Sequence, residues 1–248
     1  MIYLWNLPEK VWDKGEKRMS RVFGIIKNDM YFQRRTGIYL LYLMLTILYL
    51  AVLHAIPADL KKVVAELLIF TDPVAMGLYF MGAILLLERS QHLERAIFVS
   101  PVRTREYVAG KAVSLGVIAT VAALILQLSV DRSGLTVGYF CGVVFSELIF
   151  SFFGLIVATK IRDLNQFVLA TVPIELAGFV PVIFSISGIR QSVLAYYPTV
   201  ICFHLIGGEK INGVQWLEVA ALTLLLAVAA ENSVRKLWYG CSGKKGER

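Results

Sequence analysis

Six long runs of apolar residues, separated by shorter polar segments, dominate the chain. They cover residues 37–56, 67–87, 112–130, 137–158, 167–186 and 214–230. A helix needs about 20 apolar residues to cross the hydrocarbon core of a bilayer. Backbone groups inside lipid must form their hydrogen bonds within their own segment, so each run is predicted to be a transmembrane helix. The expected fold is an all-α polytopic membrane protein with six spans.

A shorter pattern with helical spacing precedes the first run. Its apolar positions are Met19, Val22, Phe23, Ile26 and Met30, and its polar positions include Arg18, Arg21, Lys27, Asn28 and Asp29. A basic amphipathic helix of this kind lies in the membrane interface; an ordinary juxtamembrane anchor is the alternative. The expected organisation is an N-terminal segment (1–36) with this helix, a transmembrane domain (37–230) and a basic tail (231–248).

Composition and charge agree with a lipid environment. Hydrophobic residues make up 57% of the chain and charged residues 17%, whereas soluble domains carry about 25% charged residues. The net charge is +7. Because the basic residues lie between the apolar runs, anionic lipid headgroups are the expected partner, and not nucleic acid.

The distribution of basic residues predicts an orientation. With the N-terminus inside, 20 of the 25 lysines and arginines fall in cytoplasmic segments: 1–36, 88–111, 159–166 and 231–248. The other five are Lys61, Lys62, Arg132, Arg190 and Lys210. Cytoplasmic loops of membrane proteins carry such an excess, so a plasma-membrane protein with both termini in the cytoplasm is expected.

Common catalytic motifs are absent from the sequence. His54, His92 and His204 fall in different segments, and neither His-Glu-x-x-His nor Gly-x-Ser-x-Gly occurs. Gly110-Lys111-Ala112 is only a fragment of the phosphate-binding loop pattern. We expect no metal site, no cofactor and no enzyme activity in this chain. If ATP drives it, another chain binds the ATP.

The loop after the second run is the most distinctive stretch. It contains a pattern formed by Glu88, Arg89, Leu93, Glu94, Val99, Ser100, Pro101, Val102, Arg103, Glu106, Tyr107, Gly110 and Lys111. This pattern resembles the cytoplasmic loop of ABC-2 type exporter permeases, most closely the drug-exporting permeases associated with fluoroquinolones. A weaker echo of the family lies at residues 194–198, where Tyr197 stands in place of the usual Asn.

The residues of this loop also predict a local structure without reference to the resemblance. Leu93, Ala96 and Ile97 share one face of a short helix, and Ser100-Pro101 is typical of a new helix start. Such a helix lies on lipid headgroups or docks on a partner. The resemblance implies docking: this is the coupling helix, and its ATPase-interface residues are Leu93, Glu94, Ala96, Ile97 and Pro101.

The resemblance further implies a complete transporter around this chain. Six spans are half of the family's usual complement, so a second permease, identical or related, and two ATPase subunits are expected partners. The implied mechanism is alternating access for an amphiphilic, drug-like molecule, with ATP bound by the partner subunit.

Three acidic residues fall well inside the predicted spans: Asp72, Glu147 and Glu175, whereas Glu218 lies nearer the end of its run and is expected at the interface. Acids at this depth are expensive and are functional candidates by default. We assign Glu147 and Glu175 to the substrate path; a proton-coupled site and a structural hydrogen bond between helices remain alternatives. Pro173 and Pro181 allow a bend in the fifth span. Close helix packing is expected at Gly77, Gly82, Gly138, Gly142 and Gly154.

Two other functional classes remain open. An ion-coupled secondary transporter or channel would use the three buried acids as ion sites and work without an ATPase. A membrane enzyme or assembly factor would need a convergent catalytic set, which the sequence does not offer.

Overall fold

The computed structural model of the chain describes residues 14–91, 102–132, 134–188 and 194–243. Within these ranges all regular structure is helical. Six of the helices are long and apolar enough to cross a membrane. The prediction of an all-α, multi-pass membrane protein is therefore confirmed.

The helices follow the apolar pattern closely. They are α1 (Lys14–Arg35), α2 (Ile38–Ala55), α3 (Ala58–Ser90), α4 (Thr104–Val130), α5 (Val137–Lys160), α6 (Leu164–Ile186), α7 (Pro198–Ile206) and α8 (Gly213–Gly243), with a 3-10 turn at Leu194–Tyr196. The six candidate spans are α2 to α6 and α8. Several extend past their apolar runs at the polar ends, because helical hydrogen bonding continues outside the apolar layer.

Local residue chemistry sets the boundaries between helices. Gly37 adopts a left-handed conformation with φ of 81° and separates α1 from α2, a conformation that glycine reaches without steric cost. The hydroxyl of Thr136 accepts a hydrogen bond from the backbone N–H of Tyr139 and caps α5. The predicted prolines do not end α6, which continues through Pro173 and Pro181.

The centre of the bundle is built by α3, α4 and α5, and glycines allow the close approach. A Cβ at Gly154 on α5 would overlap the backbone carbonyl of Leu78 on α3, and one at Gly82 would overlap the ring of Phe167 on α6. At Gly77 it would lie 3.0 Å from the hydroxyl oxygen of Ser151. The close packing is confirmed at Gly77, Gly82 and Gly154, whereas a Cβ at Gly138 would make only an ordinary contact at 3.5 Å.

Helix α7 was not predicted as an element and lies largely inside the protein. Thr199 donates a 2.9 Å hydrogen bond to the carbonyl of Gly178, about 12 Å below the end of α6. At the other end of α7, Leu205 packs beside Gly138 in the first turn of α5. The described part of the connection between α6 and α8, from residue 194 onwards, therefore lies partly within the bundle and runs back towards the start of α5 through α7. We call the end of the bundle that contains α7 the α7 end. The opposite end, which contains α1, is the α1 end.

Large apolar side chains remain exposed along the spans. They include Leu40, Met44 and Ile47 on α2, Leu169 and Leu176 on α6, and Leu217 and Leu224 on α8. Surfaces of this size and character are stable only where lipid or another protein covers them.

Candidate functional site

A buried ion cluster joins three helices at the α1 end. Its members are Asp29 on α1, Glu88 near the end of α3 and Lys111 on α4. The ammonium nitrogen of Lys111 lies 2.8 Å from Oδ1 of Asp29 and 2.7 Å from Oε1 of Glu88. Lys111 is only 1% exposed, so the three charged groups interact away from bulk water.

Hydroxyl and amide groups complete the ion cluster. Tyr107 donates a 2.5 Å hydrogen bond to Oε2 of Glu88, and Ser114 donates a 2.6 Å bond to Oδ2 of Asp29. Gln33 on α1 donates to the Ser114 hydroxyl at 2.9 Å. All four carboxylate oxygens therefore have partners. Buried charged groups are stable only when their atoms have hydrogen-bond or ion-pair partners, as these do.

The cluster also reveals how α1 meets the bundle. Asp29 was predicted to share the polar face of α1 with Lys27 and Asn28. Asp29 is buried, at 4% exposed, whereas Lys27 and Asn28 are exposed. A second contact lies nearby, because Gly110 on α4 leaves room for the side chain of Ile25. Polar and apolar contacts together fix α1 on α4.

Arg89, at the end of α3 where loop 88–111 begins, connects α3 to the end of α5. Its guanidinium donates hydrogen bonds to the carbonyls of Ala158 at 3.0 Å and Ile161 at 2.6 Å. The last carbonyls of a helix have no partner within that helix, and Arg89 supplies one at the end of α5. The two ends of loop 88–111 are thus held by Arg89, Glu88 and Lys111.

The start of α4 also contacts the end of α8. Arg105 donates from Nε to both carboxylate oxygens of Glu231, at 2.9 and 2.8 Å. The rings of Tyr107 and Trp238 meet edge to face with centroids 5.3 Å apart. Beside these contacts is a cavity of about 400 Å³, lined by Val102, Arg103, Thr104, Arg105, Glu231, Trp238 and Tyr239. We call it the α4–α8 cavity.

The predicted interface residues Leu93, Glu94, Ala96, Ile97 and Pro101 lie outside the residues that the structure describes. The predicted coupling helix therefore stays a prediction. Its immediate flanks are described: α3 ends at Ser90, and the chain continues from Val102 into α4.

Glu147 lies deep in the bundle and is 1% exposed. Ser151 donates a 2.5 Å hydrogen bond to its Oε1 atom. Its Oε2 atom has no hydrogen-bond partner among the described residues. A Cβ at Gly116 on α4 would lie 3.1 Å from Oε2. The carboxyl therefore sits where α4 and α5 meet, in space left by a glycine.

The other two intramembrane acids have different surroundings. Glu175 on α6 is half-buried, and its carboxyl interacts with the hydroxyl of Tyr79 on α3. Asp72 belongs to the continuous helix α3, but its side chain lies outside the described part of the chain. Glu147 and Glu175 thus contact different neighbours, and whether either lines a substrate path stays a prediction.

The sequence reading missed the ion cluster as a unit. The loop pattern includes Glu88 and Lys111 only as its ends, and the helical pattern includes Asp29 only as a polar position. The available signal was charge: a lysine beside an apolar run, and acids at the edges of two other helices, need partners once buried. Comparison with known proteins adds no further assignment, because no family model and no curated protein matches this chain.

Proposed function

We propose that this chain is the permease subunit of an ATP-driven exporter of the ABC-2 type. In this proposal it forms half of a translocation path for an amphiphilic small molecule and performs no covalent chemistry. A separate ATPase subunit docks on loop 88–111, and a second permease completes the path. ATP-driven closure of the ATPase pair moves the docked loops, and the bundle opens to the other side.

One observation supports this proposal most directly: the loop that carries the resemblance is mechanically tied to the bundle at both ends. Glu88 and Lys111, the first and last residues of the stretch 88–111, lie in the flanking helices α3 and α4 and form an ion pair with N···O of 2.7 Å. Lys111 also binds Asp29, so α1 belongs to the same unit. A force applied to the loop would therefore be delivered to α1, α3 and α4 together, as coupling requires.

An ion-coupled carrier is the second candidate, and one feature favours it. Glu147 is an intramembrane acid with one carboxyl oxygen that has no hydrogen-bond partner in the described residues. Ionisable groups in this situation often belong to ion or proton pathways. Such a carrier would transport without an ATPase and would depend on a proton or sodium gradient.

A pull-down of the full chain from its native membrane in detergent, scored for ATP hydrolysis, separates the two candidates. We expect ATPase activity to co-elute with the wild-type chain. Ile97→Asp should lower it by about tenfold or more, because a charge on an apolar docking face must be desolvated.

Gln91→Asp is the matched control, since it introduces the same charge at an exposed position of the same segment. We expect it to retain the activity. A wild-type chain that co-elutes with no ATPase, yet transports in response to an ion gradient, would favour the ion-coupled carrier.

A further inference from the structure

Pro181 leaves one backbone carbonyl of α6 without a partner in its own helix. Proline has no N–H, so the carbonyl four residues earlier, that of Ala177, receives no helical hydrogen bond. Ala177 lies near the middle of the apolar run 167–186, where lipid offers no water that could replace this bond. An unpaired carbonyl at such a depth is strongly unfavourable. Helix α6 therefore needs a hydrogen-bond donor from another part of the chain.

Tyr197, the residue directly before α7, supplies this donor. Its hydroxyl donates a 2.9 Å hydrogen bond to the carbonyl of Ala177. Thr199, in the first turn of α7, donates a bond of 2.9 Å to the next carbonyl, that of Gly178. Both acceptors lie about one helical turn before Pro181. The start of α7 is thus bound to α6 at the turn that the proline weakens.

The end of α7 contacts α6 on the other side of Pro181. The ring nitrogen Nε2 of His204, in the last turn of α7, lies 3.2 Å from the hydroxyl oxygen of Ser185. Nδ1 of the same ring lies 2.7 Å from the carboxylate of Glu209, and this contact orients the ring. Because α7 contacts α6 both before and after Pro181, it bridges the point at which proline permits a helix to bend.

Burial shows which of the two helices is held more firmly. Seven of the nine residues of α7 are buried, whereas only four of the 23 residues of α6 are buried. Large apolar side chains of α6, among them Leu169 and Leu176, face outwards. A helix with one face in lipid can tilt while the core stays closed, but α7 cannot move without disrupting the packed interior. Helix α7 is therefore the fixed support, and α6 is the part that can move.

We propose that α7 is a clamp across a hinge at Pro181 of α6, and that the Tyr197 hydroxyl keeps this clamp closed. While the hydrogen bond to Ala177 is present, the two parts of α6 are held at one angle. When it breaks, the part before the proline (164–180) tilts relative to α7. Glu175 belongs to that part, so the tilt moves its carboxyl relative to the Tyr79 hydroxyl on α3. The inference does not rest on the proposed function, since the clamp is the same whether ATP or an ion gradient drives transport.

Double electron–electron resonance between nitroxide labels at Leu169→Cys on α6 and Leu224→Cys on α8 measures the tilt, because both positions are exposed. The three native cysteines are replaced by alanine, and the full chain is placed in lipid nanodiscs. Tyr197→Phe removes only the hydroxyl, so the fraction of molecules at a second, tilted distance should rise about fivefold or more. Tyr196→Phe, the same change at the adjacent exposed tyrosine, is the control and should leave the distance distribution unchanged.

Pro181→Ala separates the proposed cause from a general effect of the tyrosine. Alanine restores the N–H that bonds to the Ala177 carbonyl within α6, so in this background Tyr197→Phe should have no more effect than Tyr196→Phe. A wild-type distance distribution in Tyr197→Phe alone would overturn the proposal. An equal shift with proline or alanine at position 181 would also overturn it, because Tyr197 would then not act through the freed carbonyl. The readout involves neither ATPase nor substrate, so failure of this inference is distinct from failure of the proposed function.

Discussion

At the residue scale, Lys111 is a buried charged side chain whose desolvation must be compensated by its neighbours. It is almost completely buried, yet two carboxylates lie within 2.8 Å of its ammonium nitrogen and the Tyr107 ring centroid lies at 5.0 Å. Such a group adds stability only if every partner is present. Removing one partner leaves the others desolvated and uncompensated.

We therefore predict that Lys111→Met destabilises the protein by about 3–5 kcal/mol. Methionine preserves much of the side-chain volume, so the loss would reflect the two unpaired carboxylates and not a void. Unfolding in detergent, followed by heat or denaturant, measures the effect. Lys160→Met is the control, because Lys160 is exposed at the end of α5 and should change stability by less than about 0.5 kcal/mol. Equal stability of the two variants would contradict a stabilising role for the cluster.

Glu147 permits a prediction about transport. Glu147→Gln keeps the oxygen that accepts the Ser151 hydrogen bond and nearly the same volume, so folding and assembly should survive. If the carboxyl belongs to the substrate path, we expect an altered substrate range or affinity in vesicle transport of a panel of amphiphiles. Glu218→Gln on α8, a half-buried acid, is the control. The assignment fails if the Glu147 variant exports every compound at the wild-type rate.

The burial of Asp29 shows where residue-level prediction stops. Its neighbours Lys27 and Asn28 are exposed, but Asp29 is buried against Lys111, 82 positions further along the chain. Helical periodicity describes one helix at a time. It cannot identify which face of an amphipathic helix meets the protein and which meets lipid when the contact is an ion pair between distant segments.

At the element scale, the apolar pattern predicted the number, order and approximate position of all six spans. Lipid imposes this regularity, because a spanning segment must be continuous, apolar and helical. The same rule explains why helix α7 was not predicted, because the rule identifies only segments that span the bilayer. With nine residues it is too short to span, and a half-polar connection does not indicate that a segment returns into the bundle.

Glycine packing between α3 and α5 permits a sharp test. Gly154→Ala would place a methyl group against the carbonyl of Leu78, and backbone on both sides leaves little room to adjust. We predict a loss of about 1–3 kcal/mol or more in unfolding stability. Gly24→Ala in α1 is the opposite case: no atom lies within 4 Å of the added carbon, so helix propensity should make it neutral or stabilising by up to about 1 kcal/mol. Similar changes in unfolding stability in the two variants would show that α3 and α5 are further apart than in this structure.

At the scale of the whole molecule, the surface divides into regions with different partners. Exposed apolar side chains along α2, α6 and α8 require lipid or another protein to cover them. The α1 end instead presents charged groups on helices that extend past the apolar runs. In the proposed exporter, one six-span chain would enclose only half of the translocation path, so the described residues of a single chain do not identify a substrate.

Orientation decides whether the α1 end can meet an ATPase at all. Since 20 of the 25 basic residues lie in segments assigned to the same side, we predict that the α1 end is cytoplasmic. With Cys141, Cys202 and Cys241 replaced, Arg132→Cys should react with a membrane-impermeant maleimide in intact cells. Arg162→Cys should react only after permeabilisation. Both positions are exposed and lie at opposite ends of α5, so each serves as the control for the other. The reverse labelling pattern would place loop 88–111 and the α4–α8 cavity on the side without ATP, and the exporter proposal would then be untenable.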